Sequence, residues 1–133
     1  MAAHRYWRAV GFVPYGNNGL ELTELQLFAG GARADASATL TSNIAPATGT
    51  LAYLADNSAL NSATWPAASM STLALTYDLG SPVAVDDIQL GAGVDATRYA
   101  LVVKLQWSDD AATWTDYVTV SGLRWPGDRK SVV

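Results

Sequence analysis

The sequence predicts an all-β protein, an antiparallel β-sandwich that occupies residues 1–133 as a single domain. Apolar and polar residues alternate in several short runs, which is the pattern of strands with one buried face. Gly, Pro, Asn and Asp residues separate these runs at roughly regular spacing, as in sandwiches of seven or eight strands. Half of the residues are hydrophobic and 15% are charged, so a chain of this length can bury a core without disulfides.

The alternation is clearest in the C-terminal half, where residues 73–79 and 101–107 predict two strands. Residues 83–90 and 114–120 predict two more, rich in β-branched and aromatic residues. The Ser and Asp residues within 108–113 favour a tight hairpin turn, because their side chains accept hydrogen bonds from nearby backbone N–H groups. The apolar positions of the first two strands share one face each: Leu73, Leu75, Tyr77 and Leu79, and Leu101, Val103, Leu105 and Trp107.

The N-terminal part predicts two strands joined by a turn, at residues 6–13 and 20–28. In the second strand, Glu24 and Gln26 fall on the face opposite to two leucines. A helix over residues 21–27 is the alternative, although this stretch is short and lacks a good capping residue.

The remaining segments carry weaker signals. The Gly-Ser-Pro sequence at residues 80–82 is expected to break the chain between two strands. Residues 30–71 are rich in Ala, Ser, Thr and Asn, which predicts mostly loop with one short strand near residues 38–42. Such a long irregular segment is usually functional or packed over one end of a domain. Residues 129–133 predict a last strand that could pair with the first.

Three groups of motifs follow one another along nearly the whole chain. They are Arg5-Tyr6-Trp7-Arg8 with Asn17-Asn18-Gly19 and Leu22-Thr23-Glu24-Leu25-Gln26-Leu27, then Leu75-Thr76-Tyr77-Asp78-Leu79-Gly80-Ser81-Pro82-Val83, and then Ser108-Asp109-Asp110-Ala111-Ala112-Thr113-Trp114-Thr115. This ordered set resembles the discoidin (coagulation-factor type C) domains and related carbohydrate-binding modules, particularly the short versions found in phage virion proteins. The resemblance implies an antiparallel jelly-roll β-sandwich of the galactose-binding-like kind, whose ligands meet the loops at one end.

The residues that catalysis most often uses are scarce. The chain has no cysteine and one histidine, His4, which is expected to be solvated, so a nucleophilic triad would have to use that residue. The carboxylate pairs Asp86-Asp87 and Asp109-Asp110 are neighbours on a strand or in a turn. They therefore do not face each other across a cleft, as glycosidase chemistry requires. We expect no enzymatic activity.

Charge and hydropathy limit the classes of partner. The net charge is −4 and no cluster holds more than two Lys or Arg neighbours, which argues against a nucleic-acid partner. No run reaches the length of a membrane span, so membrane insertion is not expected, and the N-terminus lacks the apolar core of a secretory signal. The resembled domains normally act outside cells. Together with the missing signal, the resemblance implies a protein made in the cytoplasm that reaches the outside of the cell within a released particle, a virion.

The loops carry the side chains that a sugar site combines, namely aromatic faces and planar hydrogen-bonding groups. The resemblance places such residues at one end of the sandwich. The ligand-binding candidates are Tyr15, Asn17 and Asn18 in the first loop, Tyr53, Asn57 and Asn61 in the middle segment, Arg98 and Tyr99 after the 91–97 loop, and Arg124 and Trp125 near the C-terminus. Residues 17–19 are also a turn sequence in their own right.

A structural calcium ion is the one candidate cofactor, and it comes from the resemblance. Many relatives of this kind bind calcium through a loop with the pattern Ala-Phe-Asp-Gly-Asn followed by Thr and Trp. Residues 53–58 match this pattern approximately, with extra residues and no glycine. The resemblance makes Asp56, Asn57 and Thr64 candidate ligands, with Asp128 as a further carboxylate, since calcium prefers six to eight oxygens.

Four of the five tryptophans are assigned to the core. Trp7, Trp107 and Trp114 occupy strand positions, where large aromatic residues usually pack inward. Trp65 matches a tryptophan that in the resembled family packs under the calcium loop. Trp125 stays among the binding candidates because it lies in a loop.

Two hypotheses for the function follow, and an enzyme is the weakest third. The first is a carbohydrate-binding module for host-surface glycans on a phage or phage-like particle, in a tail fibre, tail tip or head spike. The second is a structural virion protein, such as a decoration, collar or adaptor protein, whose loops contact other subunits. Both hypotheses predict a homo-oligomer or a part of a larger assembly.

Overall fold

A computed structural model describes residues 2–58, 60–93, 95–122 and 129–131, and every structural statement below concerns these residues. They form β-strands and three short 3-10 helices, and no α-helix occurs among them. Since all strand pairs are antiparallel, the prediction of an all-β, antiparallel protein is confirmed. No helix in this part of the chain is long and apolar enough to cross a lipid bilayer.

Eleven strands are present in the described part of the chain. In chain order they are β1 (His4–Pro14), β2 (Leu20–Leu22), β3 (Glu24–Ala29), β4 (Ala32–Arg33), β5 (Thr39–Ser42), β6 (Ala63–Trp65), β7 (Ala74–Val83), β8 (Asp87–Gly91), β9 (Ala100–Ser108), β10 (Thr115–Val120) and β11 (Arg129–Ser131). The 3-10 helices are Leu51–Ala55, Ala67–Ser69 and Ala96–Arg98.

The largest sheet has five strands in the order β10-β9-β1-β7-β5. The N-terminal strand β1 lies at its centre, where Trp7 pairs with Tyr77 of β7 on one side and with Trp107 of β9 on the other. The second sheet has four strands in the order β11-β8-β3-β4, and β2 pairs with β6 in a two-stranded sheet.

The two larger sheets contribute to one hydrophobic core. Residues from both sheets line the same small interior space, which places the faces of the sheets against each other as in a sandwich. The apolar residues of this interface are Trp7, Ala9, Leu75, Tyr77 and Leu105 from the first sheet and Leu25, Leu27 and Ile88 from the second. Burying each of the larger apolar side chains stabilises the fold by about 1.5–3 kcal/mol.

Strand β7 runs through the segment where a chain break is predicted. The partner of β1 shifts from Asp78 to Val83 while β1 advances only from Tyr6 to His4. Residues 80–82 lie in this register jump, so the Gly-Ser-Pro sequence creates a bulge-like irregularity within one strand instead of ending it. The following strand, β8, consequently begins at Asp87 and not at residue 83.

The single strand predicted over residues 20–28 is two strands in different sheets. β2 pairs with β6, whereas β3 pairs with β8, and the backbone N–H of Thr23 between them donates to the Gly91 carbonyl. Glu24 and Gln26 lie on the face of β3 opposite to its leucines, yet both are buried. The reason is that the 3-10 helix Leu51–Ala55 and the residues after it cover this side of β3.

The last described strand also differs from its prediction in pairing. β11 confirms the prediction of a strand near the C-terminus, but it pairs with β8, with Arg129 opposite Gly91. The pairing with the first strand is therefore wrong. Both sides of β1 are already occupied, by β7 and β9, so no edge of β1 is open to a further strand. Residues 132 and 133 lie outside the described part of the chain.

The segment 30–71 is largely irregular, as predicted, and β5 confirms the short strand expected near residues 38–42. The segment nevertheless contributes to the core through Leu54 and Trp65, which are both fully buried. The indole N–H of Trp65 donates to the Ile44 carbonyl at 2.9 Å. The core assignment of Trp65 is thus confirmed.

The other aromatic assignments are confirmed only in part. Trp7 is buried and Trp107 packs partly buried against the core. Trp114 lies on the opposite side of the five-stranded sheet, partly exposed, with the Arg8 guanidinium 4.1 Å from its ring centroid, so its core assignment is wrong. His4 is also not solvated, because its ring stacks on Trp107 at 3.5 Å and lies almost entirely buried.

The hairpin predicted at residues 108–113 is confirmed and its hydrogen bonds explain the sequence. The Ser108 hydroxyl accepts from the backbone N–H groups of residues 110 and 111. The Asp110 carboxylate accepts from those of residues 112 and 113, and these bonds lower its pKa. This turn carries Trp114 back towards β1, where its ring lies against Arg8 on the outer face of the sheet.

Candidate functional site

Two loops meet beyond the ends of β1 and β9. The backbone N–H groups of Tyr15 and Gly16 donate to the carbonyls of Tyr99 and Thr97, at 2.9 and 2.8 Å. The Asn18 amide donates to the Thr97 hydroxyl at 2.9 Å. We call residues 15–18 and 95–99 the loop cluster. It brings together five of the predicted ligand-binding residues: Tyr15, Asn17, Asn18, Arg98 and Tyr99.

The loop cluster depends on close backbone approach. A Cβ atom on Gly16 would lie 2.8 Å from the Cβ of Thr97, so a larger residue at this position would push the two loops apart. Gly19 has a φ of +90°, and a Cβ there would lie 2.0 Å from the Trp65 carbonyl oxygen. The Asn-Asn-Gly sequence therefore acts as a turn, as expected, with Gly19 adopting the left-handed conformation.

The second loop is held in shape by Asp95. Its carboxylate accepts from the backbone N–H of Thr97 at 3.0 Å and from the Thr97 hydroxyl at 2.7 Å. These hydrogen bonds, together with the nearby Arg98 guanidinium at 3.5 Å, lower the pKa of Asp95. The arrangement fixes Thr97, which in turn holds Asn18 of the first loop.

An open cleft of about 430 Å³ adjoins the loop cluster. Such a volume lies within the range of small-molecule sites. Its lining is mostly apolar and comes from the end of β1, the first loop and the 3-10 helix Ala67–Ser69: Gly11, Phe12, Val13, Pro14, Gly16, Asn17, Ala67, Met70 and Ser71. Tyr15 is 46% exposed, and its ring meets the edge of the Tyr99 ring at a centroid distance of 6.4 Å.

The candidates of the middle segment form a separate group that packs on β3. The Asn57 amide oxygen accepts from the Gln26 side chain at 3.1 Å, and Asn57 has a left-handed φ of +56°. The Asp56 carboxylate accepts from the Asn61 amide at 3.1 Å and from the backbone N–H of Ser58 at 2.9 Å. Tyr53 lies in the 3-10 helix that precedes them, half-buried. Arg124 and Trp125 lie outside the described residues.

Glu24 and Gln26 belong to this second group, and the sequence analysis missed them. Gln26 donates to both the Glu24 carboxylate, at 2.8 Å, and Asn57. Burial, together with a hydrogen bond to Asp56, raises the pKa of Glu24 to about 7. The pKa of Asp56 is lowered, since the hydrogen bonds from Asn61, Ser58 and Glu24 outweigh its own desolvation.

The described residues bring together only part of the predicted calcium site. Asp56 and Asn57 lie together, but the Thr64 hydroxyl is hydrogen-bonded to Thr48 at 2.6 Å, and Asp128 lies outside the described residues. Within the described ranges no three His, Cys, Asp or Glu side chains form a group that could hold a metal ion. Two carboxylates and one amide oxygen fall short of the six to eight oxygens that calcium prefers, so we derive no metal-dependent step from these residues.

Comparisons with protein-family models, with curated proteins and with solved structures find no match for this chain. The fold and the site therefore define its class: an all-β protein with antiparallel sheets around one core and a cluster of polar and aromatic loop residues beside an open cleft.

Proposed function

We propose that the protein is a non-enzymatic glycan-binding module with a discoidin-like, galactose-binding-like jelly-roll sandwich. In this proposal it binds a host-surface glycan through the loop cluster and serves on a phage or phage-like particle, in a tail fibre, tail tip or head spike. The assignment to a particle outside the cell rests on the resemblance of the ordered motifs to the short discoidin-like domains of phage virion proteins.

The observation that carries the proposal is the loop cluster beside its cleft. The partly exposed Tyr15 ring offers a flat apolar surface of the kind that packs against a sugar ring. Asn17 is exposed at the cleft, and Arg98 adds hydrogen-bond donors from the second loop. Hydrogen bonds to Thr97 hold the two loops together. The loops therefore have less conformational entropy to lose when a ligand binds.

The negative net charge fits this class of partner. A charge of −4 opposes binding to the phosphates of nucleic acid, whereas a neutral glycan is not repelled. A particle usually presents several copies of such a module, so we expect the protein to act as a homo-oligomer or within a larger assembly, where weak individual sites gain avidity.

Isothermal titration with host surface polysaccharide, supported by a glycan array, tests the proposal. We expect binding by the wild type and a loss of about tenfold in affinity for Tyr15→Ala, which corresponds to one lost aromatic contact. Tyr53→Ala, from the group that packs on β3, is the matched control and should bind within about twofold of the wild type. Absence of binding at millimolar sugar by the intact assembly, or a loss with Tyr53→Ala instead of Tyr15→Ala, contradicts the proposal.

Exposed apolar side chains favour a second candidate function, that of a structural virion protein. Val13 is 47% exposed next to Tyr15, and Leu60 is 94% exposed. Side chains of this kind can be covered by another subunit in a decoration, collar or adaptor protein. The mass of the protein in solution separates the candidates: a stable monomer supports an independent glycan module, and an obligate trimer supports an assembly component.

A further inference from the structure

One row of polar side chains crosses the outer face of the five-stranded sheet. Arg8 of β1 stands opposite Thr76 of β7 and opposite Gln106 of β9. Thr41 of β5 pairs with Thr76, and Asp116 of β10 pairs with Gln106. Since directly opposed residues in a sheet point to the same side, this row presents hydrogen-bonding groups from all five strands on the face away from the core.

Arg8 lies at the middle of the row and is held in place on two sides. Its Nε donates to the Gln106 side chain at 2.7 Å. Its guanidinium carbon lies 4.1 Å from the centroid of the Trp114 ring, in a cation–π contact. A guanidinium carries five N–H donors, so the terminal nitrogens of Arg8 keep donors that these two contacts do not use.

Arg8 forms no ion pair with a carboxylate of the residues that the structure describes. Among the Lys and Arg side chains that the structure describes, the others form ion pairs: Arg5 with Asp78, Arg33 with Asp35, Arg98 with Asp95, and Lys104 with Asp116. Partial burial lowers the pKa of Arg8. A partly desolvated cation of this kind attracts an anion more strongly than a fully hydrated one does.

A cavity of about 370 Å³ opens beside Arg8. Thr41, Thr76 and Trp114 are among the residues that line it. Neither threonine hydroxyl is hydrogen-bonded to the part of the protein that the structure describes, so both can bind a ligand. The hairpin at residues 108–113 contributes Ala111 to the lining.

We propose that this cavity, the outer-face site, binds a sugar that carries a carboxylate, of the uronic acid class. The terminal nitrogens of Arg8 pair with the carboxylate in the two-pronged geometry that guanidinium and carboxylate groups share. The hydroxyls of Thr41 and Thr76 bind the hydroxyls of the sugar ring. The outer-face site shares no residue with the loop cluster, so it stands whether or not a glycan binds there.

The polar lining favours a sugar over an acidic peptide. Peptide and protein ligands draw most of their affinity from apolar anchors that enter pockets. Here the lining beside Arg8 is made of small polar residues and alanines, and the large apolar ring of Trp114 is already covered on one face by the guanidinium. An acidic peptide is therefore an outcome of the test and not the proposed ligand.

Two sugars that differ only in the carboxylate give the decisive comparison. Methyl β-D-glucuronide and methyl β-D-glucoside are titrated into the ¹⁵N-labelled full chain while the amide and indole N–H signals are followed by NMR. We expect saturable shifts at Trp114, Thr41 and Thr76 with the glucuronide, with a dissociation constant of about 1–10 mM. The glucoside should bind about tenfold more weakly than the glucuronide. Added salt should lower the affinity for the glucuronide, because salt screens the attraction between charges.

Variants connect the response to the named residues. Arg8→Gln should reduce glucuronide affinity about tenfold, to the level of the glucoside, and Arg8→Lys should recover part of it because it keeps the charge but not the fork. Thr76→Val removes a hydroxyl at nearly constant shape, so it tests the site even if Arg8→Gln unfolds. This substitution should lower the affinity for the glucuronide about threefold to tenfold.

Three results would overturn the proposal. They are equal shifts with both sugars, shifts confined to the loop cluster, and an unchanged response in Arg8→Gln and Thr76→Val. Acetate and N-acetyl-aspartate serve as further probes. If either binds as tightly as the glucuronide, the site recognises carboxylates, including acidic peptides, without recognising the sugar, which also contradicts the proposal.

Discussion

Glu24 lies in a strand whose sequence alternates, yet its carboxyl group is buried. The Gln26 amide and the Asp56 carboxylate contact it in place of water. A carboxyl group in this environment keeps its proton to higher pH, because the charged form has lost much of its hydration. The pKa of Glu24 rises from 4.5 to about 7 for this reason.

We expect Glu24 to make the protein less stable as the pH rises from about 4.5 to 7. The unfolded chain releases the Glu24 proton near pH 4.5, whereas the folded protein keeps it until about pH 7. Between these two pH values folding becomes progressively less favourable, and the loss of stability is complete above the folded pKa. Glu24→Gln imitates the protonated side chain. It should match the wild type at pH 4.5 and be more stable by about 2–3 kcal/mol at pH 8, as measured by urea unfolding.

A carboxylate on the surface provides the control for this experiment. The pKa of Asp116 is lowered by hydrogen bonds from Gln106 and Lys104. The stability that Asp116 contributes is therefore present above its ordinary pKa and is lost at more acidic pH, outside the pH range in which Glu24 changes stability. Asp116→Asn should keep the wild-type slope between pH 5 and 8. If Glu24→Gln also keeps that slope, Glu24 does not ionise in this range in the folded protein.

The sequence could predict the residues of the loop cluster but not those of the outer-face site. Tyr15, Asn17 and Asn18 follow a strand and precede a glycine, which is a local signal for an exposed turn. The contact between Arg8 and Trp114 joins residues that are distant in sequence and depends on the direction in which the hairpin turns. Periodicity predicts that Trp114 belongs to a strand, but it does not predict which face of the sheet the ring covers.

The strands whose residues alternate could be predicted from the sequence. β7 and β9 show one buried residue in two, from Leu75 to Tyr77 and from Val103 to Leu105, because one face of the five-stranded sheet is open to solvent. β3 could not be predicted in the same way. The irregular segment around Leu54 covers the face of β3 that carries Glu24 and Gln26. Irregular backbone carries no periodic signal in the sequence, so this burial could not be predicted.

Two leucines six positions apart test how the segment 30–71 contributes to stability. Leu54 is fully buried, whereas Leu60 is 94% exposed. Leu54→Ala should lower the free energy of unfolding by about 2–5 kcal/mol, because it leaves a cavity next to β3. Leu60→Ala should change it by less than about 0.5 kcal/mol. Equal effects in urea denaturation would mean that the segment does not pack on β3 in solution.

A hydrogen bond directly joins the two larger sheets. The Tyr77 hydroxyl of β7 donates to the Leu25 carbonyl of β3 at 2.6 Å, inside the core. The same hydroxyl lies 3.4 Å from the Asp35 carboxylate, which is paired with Arg33. Burial raises the pKa of Tyr77 well above its ordinary value, so the hydroxyl stays protonated and remains a donor.

Removal of this hydroxyl should loosen the contact between the sheets without changing the packing of the ring. Tyr77→Phe is expected to lower the free energy of unfolding by about 1–2 kcal/mol, since it leaves a buried carbonyl with one acceptor site unused. Tyr6→Phe, on the solvent side of β1, is the matched control and should have an effect below about 0.5 kcal/mol. Thermal unfolding followed by circular dichroism measures both. An unchanged free energy of unfolding in Tyr77→Phe would show that the hydrogen bond adds no net stability.

The central position of β1 has a consequence for how the chain folds. Its two partners are β7 and β9, and the paired residues Trp7 and Trp107 are 100 positions apart in sequence. Contacts this distant require a long loop to close before they give any stability, which slows folding. During synthesis on the ribosome, the first strand emerges long before either partner exists. Until β9 leaves the exit tunnel, an exposed hydrophobic strand must be kept from associating with other chains.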